Sequence, residues 1–426
     1  PTNITRLAAA IKETTANGEI DQIVYYQAGV GTVQTEQFGG GVFGWGLVRH
    51  VKEVYGFLAH NYRCGDQVLF FGYSRGAYTA RSICEMVCRV GILTKRGMDR
   101  FPQLFGLFYD KGRTEDANQK MYRQWKHTLD LFQRVAIGCF DTVGFEAVVG
   151  NTLWGEDYKF PNNFLHKKVS HAFHALALDE KRGPFRPTLW FLRDQPDQPD
   201  QATPARIMKQ VWFVGGHGDI GGGHTERDLA DITLVWMIEQ CKQANILEFD
   251  ETYIQNVCSP GQQGQQGQQG QQRWAFGRLY NSLKRGLRTL WSWIPVVDRT
   301  TRTPEGQQGQ QGQQRWAFGR LHDSYEKRGL RTLWSWMPVV GRTPRTPKAY
   351  KALPKCNPHG NCVTHESVHA TVRLRYEQDQ AGYGSSCLRG WRWNGKKWQN
   401  INHNDRTMEE TQISGLEDRL RQLNGY

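Results

Sequence analysis

The residues best suited to chemistry are Gly72-Tyr73-Ser74-Arg75-Gly76, which fit G-x-S-x-G. Val68, Leu69, Phe70 and Phe71 precede them as an unbroken strand-forming run, and Ala77, Ala80, Ile83 and Met86 follow at helical spacing. Strand, glycine-flanked serine, helix is the context of a nucleophile elbow, in which Gly72 and Gly76 keep the turn tight and the serine stands above the sheet edge. The alternative for Ser74 is a helix cap in an ordinary strand-to-helix turn. A serine hydroxyl is a poor nucleophile until an imidazole takes its proton, and the imidazole needs a carboxylate to fix its tautomer. Arg134 to Phe140 reads as a buried strand ending at Asp141-Thr142-Val143-Gly144. Gln210 to Val214 reads as another, running into Gly215-Gly216-His217-Gly218-Asp219. Asp141 is the first choice of acid, ahead of Asp179 and Asp219, although it could instead cap its own turn. His217 is the first choice of base, ahead of His171 and His224, although it could be a satisfied loop histidine. The backbone N–H of Arg75, next after the serine, is the one oxyanion donor that can be named.

These side chains can meet only if their strands lie in one sheet. Residues 3–15 predict a helix capped by Asn3, with Ile4, Leu7, Ala8 and Ile11 on one face. Asp21 to Tyr26 predicts a strand, 47–62 a helix with Leu47, Val51, Val54, Leu58 and Ala59 together, and 228–243 a further helix. Such β-α-β alternation argues for an α/β fold, a mostly parallel sheet with helices on both faces. Ligand-facing loops cluster at the carboxyl edge of that kind of sheet. Ser, acid, His in that chain order is the order of the α/β-hydrolases. Residues 92–133 are irregular and aromatic; they read as a candidate lid over the site or as a helical excursion packed on the sheet.

At 426 residues the chain has room for two to three domains, or for one large α/β domain with insertions. It contains no run of about 18 apolar residues, so no membrane-spanning helix is expected. It begins at Pro1 without a basic-then-apolar leader, and the expectation is a chain lacking its true start. Nine cysteines scattered singly favour reduced thiols and a cytoplasmic location, membrane-associated or not. Of the net charge of +13, ten charges fall between Gly261 and Pro347, where 14 Lys/Arg face 4 Asp/Glu. Basicity is therefore a property of one segment and not of the fold.

F-G-Y-S-R-G-A-Y-T-A-R, Y-Y-Q-A-G-V-G-T, C-F-D-T-V-G, H-A-L-A-L-D-E (174–180) and V-W-F-V-G-G-H-G-D-I-G-G-G-H all fall within residues 2–240. Together they resemble the α/β-hydrolase family that contains the phospholipase effectors of bacterial type VI secretion, with many uncharacterised fungal members. The resemblance implies an esterase or lipase-type hydrolase of glycerophospholipids or related esters, with Ser74 as nucleophile, His217 as base and Asp141 as the orienting acid, and no cofactor. Such proteins usually open with an apolar strand ending in Asp-Gly-Thr shortly before a segment like Pro1-Thr2-Asn3-Ile4. That strand is absent from this sequence, so a sheet missing its first strand is expected.

From Pro260 the character changes. A Gly/Gln tract leads into a Leu/Trp-rich basic segment over 273–297, and nearly the same text returns at 315–340. The tracts cannot build a core. Each Leu/Trp-rich unit reads as an amphipathic helix, suited to an anionic membrane surface or to a helix of the hydrolase whose second copy is a duplication. Nucleic acid is not expected as a partner, since no recognition module is visible. The expected organisation is a hydrolase core over 1–260 (lid 92–133), a duplicated basic insert over 261–347, and a return to the hydrolase over 348–426. Within the last part, His365-Glu366-x-x-His369 formally matches a zinc peptidase motif, but its β-branched neighbours favour a strand, and no metal is expected. The leading function is a serine hydrolase of carboxylic esters of lipid or phospholipid type. The alternative is a catalytically inactive relative serving as an interaction or membrane-associated module.

Overall fold

The apolar runs that predict strands come together in one sheet. Its strands are Val68–Tyr73 (β1), Val135–Phe140 (β2), Val169–Ala177 (β3), Ile207–Phe213 (β4), Glu366–His369 (β5), Trp391–Trp393 (β6), Lys397–Asn400 (β7) and Thr407–Thr411 (β8). The computed structural model describes residues 1–29, 40–109, 129–130, 135–144, 163–193, 206–258, 345, 347, 362–378, 385–402 and 406–413. The sheet order is β1-β2-β3-β4-β5-β8-β7-β6. The first five strands and β8 run parallel, and β7 and β6 close the far end as antiparallel strands. All six residues of β2 are buried, as a near-continuous apolar strand requires when both faces of a parallel sheet are covered.

Helices provide that cover. They are Asn3–Ala10 (α1), Gly40–Asn61 (α2), Arg75–Val90 (α3), Phe101–Tyr109 (α4), His217–Gly221 (α5), Asp228–Gln243 (α6), Glu251–Cys258 (α7) and Ala370–Gln378 (α8). Leu7 of α1, Trp236 of α6 and Ile254 of α7 pack with Phe140, Phe173 and Phe213 of the sheet. Tyr55 of α2, Met86 of α3 and Leu104 of α4 form a second core with Phe70, Ile137 and Ala172. The result is the α/β, hydrolase-type arrangement that the residues argue for, with helices on both faces. The strands after position 365 belong to the same sheet: β5 pairs directly with β4, Val368 standing opposite Trp212.

Four sequence expectations are corrected. The first helix stops at Ala10 and not at residue 15, because Ile11 turns extended and bridges to Phe249. Asn3 does not cap it; the cap position is Thr2, and the Asn3 amide is buried, donating to the carbonyls of Ile220 and Ala230. Residues 22–26 form no strand. Gln22 is held by side-chain bonds to the carbonyls of Lys12 and Glu248, and Tyr25 stacks on Phe57, so side-chain tethers replace a ladder. The sequence also suggests a terminal helix over Glu409 to Leu423, but Glu409 to Thr411 lie in β8.

Residues 414–423 of that expected helix, the repeats at 273–297 and 315–340, and residues 110–128 and 131–133 of the candidate lid lie outside the described residues. In the described part of the lid, Phe101, Leu104 and Phe108 are buried in the core beside Tyr55. Among the described residues no helix is long and apolar enough to cross a membrane.

Trp398 of β7 is fully buried and meets Trp393 and Tyr376. Trp398→Ala should cost about 3–5 kcal/mol. Because the strands share one sheet, thermal unfolding should move as a single transition. A separate early transition for the C-terminal strands would contradict this.

Candidate active site

Ser74 lies between β1 and α3 with φ 58 and ψ −123, a backbone that serine adopts only under strain. Its N–H still donates to the carbonyl of Phe140, so the turn is a continuation of the sheet ladder. Gly72 makes this possible: a Cβ there would sit 2.4 Å from the Cα of Ala77. Gly76 is different, since nothing lies within 4 Å of where its Cβ would stand. Of the two glycines expected to permit the elbow, only Gly72 is sterically required. The N–H of Arg75 opens α3 directly after the serine.

Asp141 follows β2 with φ 43 and is fully buried. His217 follows β4 and begins α5. The loop before it depends on Gly215, at φ 116, where a Cβ would collide with Asp219. Nδ1 of His217 lies 2.6 Å from Asp141 Oδ2, and Nε2 lies 2.7 Å from Ser74 Oγ. Because Asp141 accepts at Nδ1, that nitrogen carries the proton and Nε2 is left to accept from the Ser74 hydroxyl. Tyr73 and Phe185 enclose the ring at centroid distances of 4.8 and 4.9 Å. The Tyr73 hydroxyl donates to the His217 carbonyl, and the His217 N–H donates to Glu180. Gly221 makes room for Tyr73, since a Cβ there would fall 2.0 Å from its ring.

The rival residues are engaged elsewhere. Asp179 accepts from the Gly215 N–H and Asp219 from the Gly216 N–H, so both shape the loop that carries His217. His171 pairs with Ser170 on β3, and His224 lies against Gly218.

Asp141 holds its charge in a buried place. Burial pushes its carboxyl up, but the Arg345 guanidinium and then the His217 hydrogen bond outweigh that and hold it well below the usual carboxylate range. Arg345 is itself 2% exposed and meets the carboxylate with both terminal nitrogens, at 2.5 and 2.9 Å. Beneath the Asp141 turn, the fully buried His174 accepts the Thr142 N–H at Nε2 and meets Gln210 at Nδ1.

The zinc motif does not form a ligand set. His365 stands at φ 45 before β5, while Glu366 and His369 lie within the strand, which spreads residues that a helix would bring together. Glu366 accepts from Trp212, and His369 stacks on Phe213. Among the described residues no group of three or more His, Cys, Asp or Glu is arranged to hold a metal ion.

Residues 1–240 match the family described as T6SS, Phospholipase effector Tle1-like, catalytic domain. The chain belongs to this family. It is also similar to an uncharacterized protein of Saccharomyces cerevisiae, 29% identical over 210 residues, covering 43% of this chain and 29% of the relative. The chain thus spans less than a third of that curated relative's length.

Ser74, Asp141 and His217 all fall inside the family match; Arg345 falls outside it. Arg345 also stands 204 residues from Asp141, one arginine in a basic stretch, with no local signal to single it out. His174 did carry a signal, as a histidine inside the apolar run of β3.

Two predictions follow from this geometry. Gly72→Ala should abolish the elbow and any reactivity of Ser74, whereas Gly76→Ala should fold and stay within about 1 kcal/mol of the parent. Thermal unfolding and serine labelling of the two variants check this, and equal effects would contradict it. For His174, burial first, then the Arg81 charge, lowers the pKa to about 3. The unfolded chain therefore binds a proton that the folded chain refuses. This contribution to stability is complete above about pH 6.5 and is lost as pH falls toward the folded value. His174→Gln should flatten the loss of thermal stability between about pH 6.5 and 4; an unchanged slope would contradict the assignment.

Proposed function

We propose that the chain is a serine hydrolase that cleaves carboxylic ester bonds of lipids, phospholipids included. Membership of a phospholipase effector catalytic family supports the lipid class. The observation that carries the mechanism is the pair of short contacts on one imidazole, 2.7 Å to Ser74 Oγ and 2.6 Å to Asp141 Oδ2.

Ser74 Oγ attacks the ester carbonyl carbon while His217 Nε2 takes the hydroxyl proton. The imidazolium is stabilised by the Asp141 carboxylate on its other face. The tetrahedral oxyanion forms beside the N–H of Arg75, the donor that every nucleophile elbow offers after its serine. Collapse returns the proton from Nε2 to the departing alcohol and leaves an acyl-serine. Water then adds to the acyl carbon, giving its proton to Nε2, and the second collapse releases the carboxylic acid and restores Ser74. Asp141 keeps its negative charge throughout, as its depressed pKa requires at neutral pH. The strained backbone of Ser74 holds Oγ clear of the sheet for the attack.

A fluorophosphonate probe tests this directly, because it labels only an activated serine. The parent should be labelled at Ser74 and hydrolyse phospholipid or short-chain esters. Ser74→Ala should fold normally and lose labelling, with turnover down by about 10⁶. A Ser74→Ala variant that keeps near-parental turnover would reject the serine mechanism. An unlabelled, folded parent would favour an inactive relative.

A further inference from the structure

Arg345 makes more contacts than neutralising Asp141 requires. Besides the two bonds to the carboxylate it donates to the carbonyl of Ala177, the last residue of β3, at 2.8 Å, and to the carbonyl of Phe185 at 2.5 Å. Phe185 packs edge-on against the His217 ring, and the Arg182 guanidinium stands 3.5 Å over the Phe185 ring centroid. One buried guanidinium therefore ties together the acid, the end of β3 and the turn that walls the imidazole.

We infer that Arg345 is a positioning residue for ester hydrolysis: its planar fork aims the Asp141 carboxylate at His217 and seats Phe185 against the same ring. This rests on the triad reading above. A carboxylate has two oxygens and a rotatable plane. With Oδ1 held by one Arg345 nitrogen and the Ala177 N–H, and Oδ2 by the other Arg345 nitrogen, the carboxylate plane is fixed and Oδ2 also meets His217 Nδ1. A lysine could supply the charge but not two parallel bonds in one plane. The other titratable or charged groups that bear on this pair are Tyr73, His174, Glu180, Arg182 and Asp219. Arg345 reaches the Asp141 carboxylate from a segment remote in sequence.

The test uses the full chain, with fluorophosphonate labelling rates at Ser74 from about pH 5 to 8 for the parent, Arg345→Lys and Arg345→Met, and thermal unfolding alongside. Arg345→Met should label about 10²-fold more slowly, the loss expected of a misdirected catalytic group. The acid limb of its profile should move to higher pH, because a cation near the imidazole has been removed and the carboxylate left uncompensated. Arg345→Lys keeps the charge, so its acid limb should stay near the parent's while its rate still falls. A folded variant of either kind with parental rate and acid limb overturns the inference. So does failure of both variants to fold, which would make Arg345 a structural residue. Labelling of the parent, lost in His217→Ala, tests the triad separately. An unlabelled parent removes both readings, whereas a labelled parent with indifferent Arg345 variants removes this one alone.

Discussion

A single buried carboxylate constrains everything around it. Asp141 is fully enclosed, and an ion removed from water is tolerated only where hydrogen bonds and an opposite charge replace its hydration. Four groups do so here: the Ala177 N–H, His217 Nδ1 and the two terminal nitrogens of Arg345. They come from the end of β3, the loop after β4 and a segment remote in sequence. The carboxylate therefore requires that β2, β3 and β4 be neighbours with their carboxyl ends level. The ladder meets that requirement, with Phe140 opposite Ala175 and Ala177 opposite Phe213.

Tight turns bring Ser74 and His217 to that level as well. Ser74 and Asp141 both have positive φ, a strained conformation for residues with a side chain, of order 1–3 kcal/mol each. Glycine relieves the crowding where the backbone leaves no room, at Gly72 beneath the elbow, at Gly215 before His217 and at Gly221 under the Tyr73 ring. The two acids that might have rivalled Asp141 instead hold the N–H groups of the histidine loop. Three aspartates thus take distinct parts, set by which donors the fold presents to each.

Much of this arrangement was legible in the sequence, and the reason is local. Strand-forming runs that end in Ser74, Asp141 and the Gly-flanked His217 each carry their own signal, since a buried parallel strand is apolar throughout and its ligand edge is marked by turn residues. The elements that failed depend on neighbours. Residues 22–26 look like a strand but are tethered by Gln22 and Tyr25, and α1 ends early because Ile11 meets Phe249. Arg345 was illegible for the same reason: its role depends on a contact 204 residues away, and among many arginines its type says nothing. The Gly76 expectation failed in a narrower way, because the motif treats both flanking glycines alike while the chain path crowds only the first.

The hydrogen bond between Asp141 and His217 is the point on which the account depends, and proton NMR observes it directly. A short bond from a ring N–H to a buried carboxylate shifts its proton far downfield and slows its exchange with water. One such resonance is expected in the parent chain at neutral pH, assignable to His217 Nδ1 and lost in Asp141→Asn with the fold retained. Its absence from the folded parent, or its persistence after Asp141 is replaced, would contradict the account.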